Sequence, residues 1–257
     1  MEITQAQYAR IESCFPKQRG NVSISNLQVL NAILYVAEHG CKWRGLPKRF
    51  GNWHTIYTRM NRWAKAGALD RVFRALQEEQ IIRVKIEALK LDSTMVKVHP
   101  DGTGALKKKG PQSIGKSRGG WTTKIHMVAA NARTVIAFSL SPGQDHDAPA
   151  GRELLRTVEP PEPGVGLVMD RAYEGNETRQ LALDLGFTPV VPPRSSRLSP
   201  WEYDQALYRQ RNEIERLFRR LKGFRRIFSR FEKLDVMFTA FIHLAFIVDM
   251  LFSVNIL

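Results

Sequence analysis

The sequence predicts a mixed α/β protein, in which a sheet covered by helices follows an all-α N-terminal region. Up to about residue 80 the apolar residues recur at helical spacing, whereas after residue 85 strand-like and helix-like segments alternate. Hydrophobic residues make up 43% of the 257 residues, which argues against disorder. This change in the spacing of apolar residues predicts two domains, residues 1–85 and residues 86–257.

The N-terminal region is expected to form short helices separated by Gly and Pro. The expected helices span residues 4–15, 25–38, 54–66 and 69–79. Arg59 and Arg62 lie on the third of these, after a turn-rich segment, and we expect them to contact DNA in a helix-turn-helix-like domain. A basic helical bundle that contacts no groove is the alternative.

The second region is expected to contain three consecutive strands, followed by helices and strands in alternation. The strands are expected at residues 89–99, 121–130, 135–140, 167–170 and 188–191, and the intervening helices at 147–158 and 176–185. Asp147 is expected to cap the first of these helices. The segment 167–170 is apolar on both faces, which is typical of a central, doubly covered strand.

A basic stretch at residues 100–120 is expected to be a flexible loop. Lys107, Lys108 and Lys109 lie in it and are candidates for contacts with DNA phosphates. Trp121 follows the loop, and we expect it to be a core residue at a strand start rather than a stacking platform for a base.

The residues near both termini and the two cysteines predict the cellular compartment. Residues 238–257 are apolar, but His243, Asp249 and Asn255 interrupt them, which favours a buried core helix over a membrane span. The first seven residues contain no apolar run and predict no signal peptide. Cys14 and Cys41 lack metal-ligand spacing, so we expect reduced thiols in a cytoplasmic protein.

The net charge is +14, and it favours a polyanionic partner. Nucleic acid is the first expectation and an anionic membrane surface the second.

The stretch YRQRNEIERLFRRLK, residues 208–222, concentrates this charge around one glutamate. Wound as a single helix, it would place Tyr208, Arg211, Glu215 and Lys222 within roughly 60° of one another. Arg219 borders that stripe, and Glu213 is expected to point to the opposite side. The alternative is a solvated helix with charge pairs four residues apart.

Three carboxylates are candidates for chemistry. Asp92 lies within the first strand, Asp170 follows the central strand, and Glu215 lies on the basic helix. Mg²⁺ and similar cations prefer oxygen ligands, and two such ions can promote phosphodiester chemistry. The trio therefore predicts a metal site that acts on DNA.

At these residues the chain resembles bacterial transposases of the DDE type. The spacing of Tyr208, Arg211, Glu215 and Lys222 is similar to the signature around the family's catalytic glutamate. The segments LDSTMVKVH (91–99) and MDRAYEG (169–175) resemble the surroundings of its two aspartates, and residues 40–67 resemble the DNA-binding domain of the insertion sequence 5 group.

The resemblance implies an RNase H-like fold, a catalytic triad of Asp92, Asp170 and Glu215, and dependence on Mg²⁺ or Mn²⁺, with two ions. It also implies binding of double-stranded DNA at terminal inverted repeats and at the target, cleavage and strand transfer by a homodimer or larger assembly, and action at the bacterial nucleoid. Two other functions stay open: a catalytically idle DNA-binding protein, and an RNase H-like nuclease acting on hybrids or junctions.

Overall fold

The computed structural model describes residues 1–18, 20, 22–105 and 110–253, and these divide into two compact units. The first unit consists of residues 1–80, 98–112 and 221–257, and the second of residues 81–97 and 113–220. Both units are therefore discontinuous in sequence, whereas the sequence analysis placed one boundary after residue 85.

The first unit is helical. Its helices are α1 (Gln5–Ala9), α2 (Asn26–His39), α3 (Trp53–Lys65), α4 (Ala68–Ile81), α9 (Arg225–Phe228) and α10 (Asp235–Ser253). The Ser25 side chain caps α2 by accepting a hydrogen bond from the Gln28 N–H, and Gly40 ends it with a φ of 66°, a left-handed conformation that favours glycine. The expected helix at residues 4–15 is wrong in length, because α1 ends at Ala9 and only a 3₁₀ turn, Glu12–Cys14, follows.

Helix α10 forms the centre of this unit. It packs against α3 and α2, and Phe241, Leu244 and Ile247 are fully buried. Within the described ranges it is the one helix long and apolar enough to cross a membrane, yet 72% of its Asp235–Phe252 window is buried inside the protein. This burial agrees with the expected core helix.

The second unit is built on a mixed sheet. Its strands are β1 (Ala88–Val98), β2 (Gly115–Ser117), β3 (Gly120–Ala129), β4 (Val135–Pro142), β5 (Gly166–Met169) and β6 (Thr188–Val190). The order is β2-β3-β1-β5-β6, with β4 also paired to β3. Strands β1, β3 and β4 are antiparallel neighbours, whereas β5 and β6 continue the sheet in parallel with β1. The five expected strands are present, and β2 is an additional strand that the sequence analysis did not expect.

Helices cover both faces of the sheet. Residues of α5 (Asp147–Leu155) and α6 (Asn176–Asp184) pack on one face around Leu91, Leu167 and Met169. On the other face Ala88, Val168 and Val190 contact α7 (Gln205–Tyr208). The four residues of β5 are buried, as expected of a central strand.

Three expectations about this region are wrong. The stretch at 100–120 is not a continuous loop, since it contains a 3₁₀ helix at Pro100–Ala105 and strand β2. Asp147 does not cap α5: His146 occupies the cap position, and the Asp147 carboxylate instead accepts hydrogen bonds from Ser93 Oγ and Lys124 Nζ. Trp121 is 41% exposed rather than a core residue.

The basic stretch 208–222 is not one helix. A 3₁₀ turn, Arg209–Arg211, separates α7 from α8 (Asn212–Leu221), and Lys222 lies beyond the end of α8. The expectation of one unbroken helix from Tyr208 to Lys222 is therefore wrong.

Candidate active site

Pairing of β1 with β5 brings the two candidate aspartates together. The strands are parallel, with Leu91 opposite Met169, so Asp92 and Asp170 occupy the next position on neighbouring strands. In open α/β sheets the carboxyl ends of parallel strands form the usual place for a site. Asp92 is mostly buried, whereas Asp170 is about one-third exposed.

Each aspartate has one oxygen held by nearby backbone. Asp92 Oδ1 accepts a hydrogen bond from the Ser93 N–H at 2.7 Å, and Asp170 Oδ1 accepts one from the Ala172 N–H at 3.0 Å. These bonds fix the rotation of both carboxylates. The second oxygen of each, Oδ2, is consequently directed away from its own backbone.

Arg211 binds all three candidate carboxylates. Its Nη1 lies 3.0 Å from Asp92 Oδ2 and 3.1 Å from Asp170 Oδ2, and its Nη2 lies 2.7 Å from Glu215 Oε1. Arg211 and Glu215 are four residues apart at the start of α8, a spacing that allows contact in a helix. The guanidinium, with five donors in a rigid fork, thus occupies the point on which the three acids converge.

A second ion pair attaches α8 to the sheet. Lys90 precedes Asp92 by two residues, so both side chains point to the same face of β1. Lys90 is 3% exposed, and its Nζ lies 2.8 Å from Glu213 Oε2. The expectation that Glu213 points away from the site is therefore wrong: Glu213 faces the same strand as Arg211 and pairs with its buried lysine.

Burial dominates the protonation of Asp92. It raises the pKa of this carboxyl to about 6, against the lowering effects of the Ser93 hydrogen bond and the Arg211 charge, and the neighbouring Asp170 and Glu215 charges raise it further. Burial alone would lower the pKa of Arg211, but the charges of the three acids outweigh it and the pKa is raised. The three acids thus favour the charged form of Arg211, whereas for Asp92 burial outweighs the favourable charge of Arg211.

The donor set fits a hard divalent cation. It consists of carboxylate oxygens, the ligands that Mg²⁺ and Mn²⁺ prefer, and two of them share one nitrogen as partner. In this conformation Arg211 supplies the positive charge. No three acidic, histidine or cysteine side chains in the described ranges converge closely enough to hold a metal ion.

The candidate DNA contacts are scattered. Tyr208 is half-buried at the end of α7, where its ring meets Tyr203 edge-on at 5.6 Å between ring centres. Arg219 and Arg62 are exposed. Arg59 donates to the Ile24 carbonyl at 2.7 Å, which ties its guanidinium to the first unit, and Lys222 is half-buried in that same unit. Lys107, Lys108 and Lys109 lie outside the described residues.

Sequence reasoning missed two features of this site. The first is the role of Arg211 as partner to all three acids, for which the only signal was its spacing from Glu215. The second is Lys90, whose signal was a lone cation in the otherwise apolar run Ala88–Leu91.

Comparisons with known proteins supply the family. Residues 3–73 match a family model described as "Putative transposase of IS4/5 family", and residues 85–250 match the model "Transposase DDE domain". A "Putative transposase for insertion sequence element IS6501" of Brucella ovis is 34% identical over 126 residues, which is 48% of this chain and 94% of that protein. The "Uncharacterized protein y4sN" of Sinorhizobium fredii is 34% identical over 107 residues, covering 40% of this chain and 82% of that protein.

Similar solved structures are remote. A chain of the piggyBac transposase synaptic complex with hairpin DNA has a TM-score of 0.38 at 12% identity, over 76% of this chain and 48% of that one. A chain of the Mos1 mariner paired-end complex with Mn has a TM-score of 0.32 at 11% identity, over 94% and 83% respectively.

A mixed sheet that presents acids beside a basic helix, in a chain that matches transposase models along most of its length, defines a DNA transposase. The DDE model alone spans more than half of the residues. The chain belongs to the transposase DDE domain family, among the transposases of bacterial insertion sequences.

Proposed function

We propose that this transposase binds the terminal inverted repeats of its insertion sequence and catalyses metal-dependent cleavage and strand transfer of DNA. Asp92, Asp170 and Glu215 form its catalytic triad, on an RNase H-like sheet. The convergence of these three acids on one cation, Arg211, is the observation that carries the proposal.

In this proposal the three carboxylates hold a pair of Mg²⁺ or Mn²⁺ ions in place of the guanidinium. When bound, these ions activate the attacking water or 3′-hydroxyl and stabilise the leaving oxygen. The chain's own part is to orient the ligands. The Ser93 and Ala172 N–H groups hold the Oδ1 atoms of the aspartates and leave the Oδ2 atoms at the place where Arg211 now binds.

Arg211 has a second position in this mechanism. Once it leaves the carboxylates, its guanidinium can bind a DNA phosphate in a bidentate manner. Tyr208, at the end of α7, and Arg219, in the last turn of α8, bind other phosphates of the DNA. Lys222, Arg59 and Arg62 of the first unit, together with Lys107, Lys108 and Lys109, contribute further contacts to the DNA backbone.

The reaction also implies an assembly. Two transposon ends must be joined to one target, so we propose that the protein works as a homodimer or a larger assembly on DNA in the bacterial cytoplasm. Mass measurement of the protein bound to terminal-repeat DNA tests this point, and a complex with one protein chain that still joins paired ends would contradict it.

Cleavage of a labelled duplex carrying the element's own terminal repeat tests the proposal. Mg²⁺ or Mn²⁺ should permit nicking at the repeat boundary, and a chelator should abolish it. Specific binding without cleavage under either metal, also when paired ends are supplied, would instead identify an idle DNA-binding protein. Equal cleavage of RNA–DNA hybrids of unrelated sequence would identify a nuclease.

A further inference from the structure

The turn between β2 and β3 carries an exposed aromatic ring beside two cations. Lys116 and Trp121 lie directly opposite each other in the antiparallel pairing of these strands, and Arg118 lies in the turn. Directly opposed residues share a face of the sheet. Lys116 and Arg118 are exposed, and Trp121 is 41% exposed. Tryptophan is highly buried on average, so a half-exposed ring at a hairpin tip needs a reason.

The charge around this tip is unopposed. No acidic residue lies between Asp101 and Asp145 in the sequence, a stretch that contains seven lysines and arginines. In the described part of the chain neither Lys116 nor Arg118 forms an ion pair, whereas Lys124, further along β3, is paired with Asp147 at 2.8 Å. The tip therefore presents positive charge that the protein itself does not neutralise.

Hydrogen bonds hold the tip in shape. The Gly119 N–H and the Thr122 hydroxyl donate to Ser117 Oγ at 3.2 Å and 3.0 Å, and the Ser117 hydroxyl lies 3.3 Å from the Gly120 carbonyl oxygen. Gly120 has a φ of 92°, which favours glycine at this corner. The ring and the two cations are thus presented by a braced turn, and little ordering is needed when a partner binds.

The tip and the catalytic carboxylates lie on one face of the sheet. Asp92 lies opposite Met127 on the neighbouring strand, so the two side chains share a face. Trp121 lies six residues before Met127 in β3, and because side chains alternate between faces, an even separation places Trp121 on that face too. At the rise of an antiparallel strand this separation is about 20 Å. Single strands of duplex DNA rise about 3.4 Å per nucleotide, so one strand can reach both places with about six nucleotides between them.

We propose that this tip is a DNA-contact surface, in which Trp121 stacks on an unpaired base and Lys116 and Arg118 bind the flanking phosphates. A flat apolar ring between cations fits a nucleic-acid strand with an exposed base, because stacking takes any base and the cations follow the backbone. A fully paired duplex offers no unpaired base. The inference rests on the proposed action on DNA and adds where a strand is held.

Binding of terminal-repeat DNA with a single-stranded overhang, compared with the blunt duplex, tests the proposal in the full-length protein. Trp121→Ala should weaken binding to the overhang about tenfold and leave blunt-duplex binding unchanged, while Trp121→Phe should retain most of the affinity. The double variant K116A/R118A should reduce the slope of log affinity against log salt by about 1.5 to 2, since two phosphate contacts are lost.

The matched control is R83A/K85A, which removes two exposed charges from the same unit. An equal change of slope in the control would overturn the proposal, as would equal losses for Trp121→Ala on both DNA forms.

Loss of binding to phosphatidylserine vesicles in K116A/R118A, with DNA affinity unchanged, would assign the tip to a membrane surface instead. If the wild-type protein binds and cleaves DNA while these variants match it, this inference alone fails. If the wild-type protein binds no DNA, the proposed function fails with it.

Discussion

Lys90 Nζ lies 2.8 Å from Glu213 Oε2, and this ion pair joins a buried strand position to the second residue of α8. Asp92, two residues after Lys90, pairs with Arg211, two residues before Glu213, so here the acid is on the strand and the cation is on the turn before the helix. The two pairs have opposite polarity. A shift of α8 along β1 would bring like charges together, so the pairs select one register for the helix that carries Glu215.

Replacing Glu213 by Ala should destabilise the second unit by about 3 kcal/mol. Lys90 Nζ has three hydrogens, which it donates to Glu213 and to the carbonyls of Ala130 and Ala88, and its charge would remain buried without a counter-ion. We place the loss at the low end for a buried pair because Glu213 is 30% exposed. Urea unfolding measures it.

The control for that variant is E177A. Glu177 also pairs with an arginine, Arg152, at 2.9 Å, but its side chain is 80% exposed. A pair of this kind contributes less than about 1 kcal/mol. Equal losses for E213A and E177A would mean that the Lys90–Glu213 pair has no special role in seating α8.

The sequence anticipated the parts of this site that depend on local spacing. Arg211 and Glu215 were expected on one stripe because they are four residues apart, and they are in contact. Contacts that depend on strand pairing were not predictable in the same way. Lys90 and Glu213 are far apart in sequence, and nothing in the helical periodicity of α8 indicates which face meets β1.

In the fold, too, features set by the local sequence were predictable, whereas features set by tertiary contacts were not. Apolar runs and glycine positions predicted most strands and helices to within a few residues, since burial and backbone conformation act locally. The 3₁₀ turn at Arg209–Arg211 escaped prediction because that stretch contains no Gly or Pro, and because the local sequence does not reveal the contact of Arg211 with Asp92 of the sheet. Trp121 was misjudged because strand periodicity gives the face of a residue but not whether that face is covered.

Asp170→Asn should abolish cleavage of terminal-repeat DNA while leaving its binding intact. The amide keeps the size of the side chain and can still accept the Ala172 hydrogen bond, but it removes a charged metal ligand. Loss of outer-shell partners alone costs up to about 100-fold in activity, so loss of a direct ligand should cost at least that. Gel-shift and nicking assays on the same protein preparation separate the two effects, and wild-type cleavage by the variant would remove Asp170 from the triad.

Arg211→Gln should strengthen Mn²⁺ binding in the absence of DNA by about tenfold, equivalent to about 1.4 kcal/mol. In the wild-type protein the ion must displace a guanidinium that contacts all three carboxylates, and the shorter neutral side chain removes that competitor. Calorimetric titration of Mn²⁺ measures the affinity. The thermal midpoint of the variant should also rise more steeply with added Mn²⁺ than that of the wild type.

Arg216→Gln serves as the control for charge on α8. Arg216 is exposed and donates to Asn212 on the same helix, away from the carboxylates. Its replacement should leave Mn²⁺ affinity unchanged within about twofold. An Arg211→Gln protein that binds Mn²⁺ no better than Arg216→Gln would show that the guanidinium does not compete with the metal.

Glu232→Gln should remove the pH dependence that Glu232 gives to the stability of the first unit. Burial raises the pKa of Glu232 to about 7, although the nearby Arg226 charge lowers it. Because the folded state holds this proton more tightly than the unfolded state does, the free energy of unfolding falls as pH rises from about 4.5 to 7 and is lowest above that range. The full difference corresponds to about 3 kcal/mol. Glutamine does not titrate, so the stability of the variant relative to wild type should be higher at pH 8 than at pH 4 by about this amount. Chemical unfolding at both pH values measures this, and a stability difference that is the same at pH 4 and pH 8 would contradict the raised pKa.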